Sequence, residues 1–124
     1  MMASPQPRGC VVVIDDDNDI LESIAIVLRG AGYDARTESS GAEALDTVRR
    51  GETCLILLDL MMPGMNGWEF RTEQLRDAAL AAIPTVVMTG FPAAAENADS
   101  LGAVACLKKP IDLDELLDTV ARFC

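Results

Sequence analysis

The sequence predicts an α/β domain built on a parallel β-sheet with helices on both faces. Three observations carry that expectation. Short apolar runs alternate with stretches of helical spacing along the whole chain. The run at 54–58, CLILL, is apolar at every position, as a strand covered on both sides should be. The connections are short, leaving no linker and no internal repeat.

The elements follow in order. Residues 10–14, CVVVI, have strand composition. A helix over 18–31 is predicted by Ile20, Leu21, Ile24, Val27 and Leu28, with Gly30 and Gly32 at its end. Residues 33–37 form a weak second strand. The pattern Ser40-Gly-Ala-Glu43 is a capping box opening a helix to about Arg50. The CLILL strand runs into DLMMPGMNG, a loop by its proline and glycine content, and a helix follows over about 68–79. Residues 83–88 form the fourth strand, 94–101 a short Ala-rich helix, and 103–107 the fifth strand. Asp112-Leu-Asp-Glu115 caps a last helix with Leu113, Leu116, Leu117 and Val120 on one face.

Composition narrows the function. The chain has 124 residues, 50% of them hydrophobic and 24% charged, which suits one soluble domain of residues 9–124 behind a disordered tail at 1–8. A net charge of −10 argues against direct binding of nucleic acid or an anionic membrane. No run is long enough to span a bilayer and no signal core is present, so a cytoplasmic location is expected. Histidine is absent, which excludes Ser-His and Cys-His nucleophilic catalysis. The four cysteines form no C-x-x-C pair, so buried reduced thiols are expected rather than zinc ligands.

In an open parallel sheet, ligands bind beyond the carboxyl ends of the strands. There the sequence places Asp15, Asp16 and Asp17 after strand 1, Asp59 after strand 3, Thr89-Gly90 after strand 4 and Lys108-Lys109-Pro110 after strand 5. Three adjacent carboxylates repel each other, and alone they read as a solvated turn with a helix cap. Asp59 and a lysine from other strand ends favour a hard-oxygen site for Mg²⁺ instead. A carboxylate beside Mg²⁺ can act as a nucleophile toward phosphorus. Lys109, Thr89 and the N–H of Gly90 can serve the phosphoryl oxygens. Asp17 and Asn18 read as cap and first turn.

This ordered set, DD after strand 1, D-x-x-M-P-x-M-x-G after strand 3, T-G after strand 4 and K-P after strand 5, resembles the receiver domain of bacterial two-component response regulators. The resemblance implies a flavodoxin-like (βα)₅ three-layer sandwich with strand order 2-1-3-4-5. It implies Asp59 as phosphoacceptor, charged by a sensor histidine kinase or a histidine phosphotransfer protein. Asp16 would ligate Mg²⁺ directly, Asp15 largely through water, and the Met61 backbone carbonyl would be a further ligand. Lys109 and Thr89 would contact the phosphoryl group, and the Lys109–Pro110 bond would be cis. The product is a signal passed to an unknown downstream protein by a monomer or weak dimer, not turnover of a substrate.

The chain departs from the family in places. Cys106 stands where a switch aromatic is usual. The helix at 94–101 is short, so the usual output surface is the least transferable part. Met61 and Phe91, flanking the path of an attacking water, cannot orient it by hydrogen bonding, which predicts slow self-hydrolysis. Trp68 reads as a partly buried helix residue close to the Asp59 loop. The Met61, Met62 and Met65 cluster reads as loop packing, and the acidic residues of 112–118 as a solvated helix face. Two other readings stay open: a degenerate receiver used only as an interaction module, and a haloacid-dehalogenase-type hydrolase with Asp15-x-Asp17 as its nucleophile motif.

Overall fold

Every residue of the first strand is buried, so β1 (Cys10–Ile14) must lie inside a sheet rather than at its edge. The computed structural model describes residues 9–62, 64–90 and 102–124. In it β1 pairs with β2 (Asp34–Glu38) on one side and with β3 (Thr53–Asp59) on the other. Then come β4 (Thr85–Thr89) and β5 (Ala105–Lys108), giving an all-parallel sheet of order β2-β1-β3-β4-β5. The predicted tail at 1–8 and the predicted helix at 94–101 lie outside the described residues.

Alternation along the strands fills both faces. Val11, Val13, Leu55, Leu57, Val86 and Met88 pack against α1 (Asn18–Gly30) and α5 (Leu113–Phe123), which contribute Leu21, Ile24, Leu28, Leu116 and Val120. Val12, Ile14, Ile56 and Leu58 pack on the opposite face against Ala44, Leu45 and Val48 of α2 (Gly41–Arg49) and Phe70 of α3 (Gly67–Leu75). The result is the flavodoxin-like three-layer sandwich that the family resemblance implies. Among the described residues no helix is long and apolar enough to cross a membrane.

Local rules set the helix starts. Asp17 accepts from the N–H groups of Asp19 and Ile20, Ser40 from that of Glu43, and Asp112 from that of Glu115. The reciprocal capping box forms between Asn66, in the stretch expected as loop, and Glu69, in the helix expected from about 68.

The fifth strand runs over Ala105–Lys108 rather than 103–107, and three further expectations are corrected. The helix predicted over 68–79 breaks: α3 stops at Leu75, and a one-turn α4 (Ala78–Ala81) starts after it. Asp77 accepts from the N–H of Ala79, and the buried amide of Gln74 donates to the carbonyls of Leu80 and Ile83, so capping and a tertiary tether win over alanine propensity. The fourth strand starts at Thr85 rather than 83, because Ile83 is held in a turn by the Leu80 carbonyl and Pro84 has no N–H. Not all cysteines are reduced: Cys54 and Cys124 form a disulfide, with Cα atoms 5.1 Å apart. Cys10 and Cys106 are outside it.

Candidate functional site

The register of the strands decides which side chains meet. Asp59, the last residue of β3, pairs with Met88, and Thr89, the last of β4, pairs with Lys108. The N–H of Asp15 donates to the Glu38 carbonyl at the end of β2. The carboxyl ends of β1, β3, β4 and β5 thus share one rim of the sheet, and Asp15, Asp59, Thr89 and Lys109 sit on it.

Asp15, Asp16 and Asp59 each offer a carboxylate oxygen, and these oxygens lie within 4.8 Å of one another. Asp15 is fully buried and Asp59 is 3% exposed, while Asp16 faces solvent. Asp15 accepts from the N–H of Asp17 at 3.0 Å, and Asp59 accepts from that of Met61 at 3.1 Å. The Lys109 ammonium donates to Asp15 at 2.7 Å and lies 3.5 Å from Asp59. Lys109 precedes a cis peptide bond to Pro110, as the resemblance implies.

Electrostatics follow from this geometry. Burial pushes the Asp59 carboxyl up, and the charge of Asp15 adds to it. The Met61 N–H and the Lys109 ammonium oppose them, and the group ends at about 6. Burial alone would lower Lys109, but its hydrogen bond to Asp15 and the two nearby carboxylates outweigh burial and hold it above its ordinary value. The lysine is therefore engaged chiefly by Asp15, and Asp59 is left the less compensated acid. A buried carboxylate that is short of counter-charge is a seat for a further cation.

The donor set fits Mg²⁺. It consists of hard carboxylate oxygens on one rim, two of them buried and one open to water, with no nitrogen or sulfur ligand among them. Around this group, Thr89 is buried, Gly90 is exposed, and among the described residues a Cβ on Gly90 would meet only Lys109 Cβ at 3.8 Å. Met61 is 49% exposed at the mouth, and Phe91 lies outside the described residues. Trp68 is half-buried beside Leu60 and Val87, close to the Asp59 loop. Met62 is buried and Met65 packs on Gly41 of α2, while half-exposed Met61 does not share in that packing, so the expected methionine cluster holds only in part. The side chains of residues 112, 114, 115 and 118 are exposed, as expected of a solvated face.

Gly67 was not singled out by the sequence reading. A Cβ there would come within 2.6 Å of Leu60 Cα and 2.7 Å of the Asp59 carbonyl oxygen. Only glycine lets α3 start this close to the end of β3. The N–H of Gly67 also donates to the Leu60 carbonyl at 3.1 Å, closing the loop that carries Met61 and Met62. The D-x-x-M-P-x-M-x-G pattern contains this glycine, but the close backbone approach that demands it is tertiary.

A family model described as response regulator receiver domain matches residues 11–121. The DNA-binding response regulator MtrA of Mycobacterium tuberculosis (strain ATCC 25618 / H37Rv) is 40% identical over 82 residues, covering 66% of this chain and 35% of that protein. The DNA-binding transcriptional regulator NtrC of Escherichia coli (strain K12) is 35% identical over 117 residues, covering 93% of this chain and 24% of that protein. The chain thus spans about a third or less of the curated relatives it matches. Among solved structures, a putative response regulator from Chloroflexus aurantiacus J-10-fl superposes with a TM-score of 0.88 at 28% identity, covering 94% of this chain and 97% of that one. The chemotaxis protein CheY4 of Vibrio cholerae superposes with a TM-score of 0.86 at 28% identity, covering 94% and 98%.

Proposed function

This chain belongs to the response regulator receiver domain family, and on that footing we propose that Asp59 accepts a phosphoryl group in a Mg²⁺-dependent reaction. The observation that carries the reading is the convergence of three carboxylates with Lys109 on one rim, Lys109 being committed mainly to Asp15. Asp15, Asp16, Asp59 and the Met61 backbone carbonyl are the residues that would hold Mg²⁺. Bound there, the cation would neutralise the acids and draw charge from the phosphoryl oxygens.

The chain's own residues do the rest. One oxygen of Asp59 attacks phosphorus as the bond to the donor breaks, a phosphohistidine nitrogen or the carboxylate oxygen of acetyl phosphate. The electron pair leaves with the donor group, and an acyl phosphate remains on Asp59. Asp59 does this as the anion, which its raised pKa still permits near neutral pH. The Lys109 ammonium, held by Asp15 within 3.5 Å of Asp59, meets the charge that arrives with the phosphoryl oxygens. Thr89 and the N–H of Gly90 supply further donors from the end of β4. The phosphoryl donor is a sensor histidine kinase or a histidine phosphotransfer protein. The signal passes by phosphorylation-dependent contact with a downstream protein, without direct nucleic-acid binding by this acidic domain. The site is that of a cytoplasmic phosphoacceptor rather than a turnover enzyme, in a monomer or weak dimer.

The close engagement of Asp15 by Lys109, at 2.7 Å against 3.5 Å for Asp59, disfavours Asp15 as the nucleophile of a hydrolase. The test is incubation with acetyl phosphate, with and without Mg²⁺, followed by intact mass. The expected result is one phosphoryl group per chain, requiring Mg²⁺ and lost in Asp59→Asn. Turnover that survives Asp59→Asn and requires Asp15 would establish the hydrolase instead. No Mg²⁺-dependent label at all would establish a degenerate receiver.

A further inference from the structure

The Cys54–Cys124 bond joins the start of β3 to the cap residue of α5, across a sequence separation of 70. It lies at the amino end of β3, the opposite end of that strand from Asp59, and the site described above makes no use of it. Both cysteines are half-buried at the margin of the core rather than sealed within it. Gly9 is fitted to the bonded pair. A Cβ at Gly9 would come within 2.7 Å of Cys54 Sγ and 2.8 Å of Cys124 Sγ, and its φ of +155° itself favours glycine. Gly9 is anchored, since its carbonyl accepts from the N–H of Asp34 at 2.9 Å.

We propose that Cys54 and Cys124 form a reversible thiol–disulfide switch that sets the order of the last turn of α5. The two cysteines are not equally free to move. Cys54 lies within β3 between Thr53 and Leu55, both of which pair with β1, and Gly9 sits over its sulfur. Among the described residues, Cys124 is held by the bond, by the hydrogen bond from its N–H to the Val120 carbonyl at 2.9 Å and by packing at the edge of the core, with no sheet pairing. When the bond opens, the separating sulfurs need more room, and Cys124 is the partner that yields. The rest of α5 stays docked, because Leu116 and Val120 are fully buried in the core. Reduction therefore frays the end of the helix without unfolding the domain.

The co-reactant is a low-molecular-weight disulfide of the glutathione class. A thiolate of the pair attacks one sulfur of that disulfide, releases one small thiol and leaves a mixed disulfide on the protein. The second cysteine's thiolate attacks the protein-side sulfur and releases the second small thiol. Two electrons pass from the protein dithiol to the oxidant, and the two protein protons end on the released thiols. Reduction is the reverse.

The test uses the full chain in buffers running from reduced to oxidised glutathione. Acid quenching, alkylation and peptide mapping follow the pair, and hydrogen exchange is read on the same samples. The expected result is a single two-electron transition confined to Cys54 and Cys124. With it, amide exchange over residues 121–124 should speed by about tenfold on reduction while β1 and β3 are unchanged. Cys124→Ser should exchange fast under both conditions. A pair that stays bonded in excess reduced glutathione until the domain unfolds, or never closes in the oxidised buffer, would overturn the proposal. So would exchange over 121–124 that ignores the redox state.

Discussion

Replacing Gly67 with alanine should destabilise the domain, although helix propensity alone predicts the reverse. At an ordinary position in the first turn of a helix, Gly→Ala gains up to about 1 kcal/mol. Here the new Cβ would lie 2.6 Å from Leu60 Cα, 2.7 Å from the Asp59 carbonyl oxygen and 2.9 Å from Leu60 Cδ2. Two of those three are backbone atoms, so no side chain can swing aside. The connection from β3 to α3 must open by most of an ångström, and the Gly67–Leu60 hydrogen bond lengthens with it. Forcing an extra methyl into a packed site costs about 1–3 kcal/mol, so a net loss of about 2 kcal/mol is expected. For a domain of this size that lowers Tm by about 8 °C. The assay is thermal unfolding by circular dichroism, with Gly30→Ala as the control. Gly30 ends α1 and has nothing within 4 Å of a built Cβ, so that variant should be neutral or slightly more stable. A Gly67→Ala protein as stable as the parent would refute the reasoning.

Other expectations follow from the same geometry. The Asp59 carboxyl is pushed from 3.8 to about 6 in the folded, metal-free chain. Between those values the folded protein binds the proton more tightly, so this group's contribution to stability falls as pH rises, by up to about 3 kcal/mol. Asp59→Asn removes that penalty. Urea unfolding in EDTA should therefore show the variant's advantage growing from pH 4 to pH 7, and an advantage that shrinks with pH would contradict the burial of Asp59. Mg²⁺ at tenfold its Kd should raise the stability of the parent by about 1.4 kcal/mol and leave Asp59→Asn nearly unmoved in thermal melts. Phe70, fully buried on the core side of α3, should cost about 3–5 kcal/mol when cut to alanine, read as a fall in urea midpoint. If half-exposed Met61 shields the acyl phosphate, Met61→Asn should speed loss of label several-fold, and an unchanged half-life would remove it from that role.

Much of this architecture was legible because local rules and tertiary demands agree. The β-branched run of β1 and the apolar CLILL of β3 read as buried strands, and they are buried on both faces except at half-buried Cys54. Asp17, Ser40 and Asp112 read as helix caps and act as caps. The rim residues were legible because a parallel sheet brings the ends of β1, β3, β4 and β5 to one edge whatever the sequence between them. What escaped depends on distant partners. The break after Leu75 is settled by Asp77 and by the buried amide of Gln74 reaching Leu80, against a stretch of good helix formers. The Cys54–Cys124 bond joins residues separated by 70 positions, and no spacing motif announces it. The preference of Lys109 for Asp15 over Asp59 rests on less than an ångström of side-chain placement.

The central claim is that Asp59, rather than any other acid on the rim, becomes the acyl phosphate. Borohydride reduction of the protein after reaction with acetyl phosphate and Mg²⁺, followed by peptide sequencing by mass, tests it at single-residue level. Reductive conversion at position 59 alone, absent when Mg²⁺ is chelated, is the expected result. Conversion at position 15 or 16 with position 59 intact would contradict the assignment.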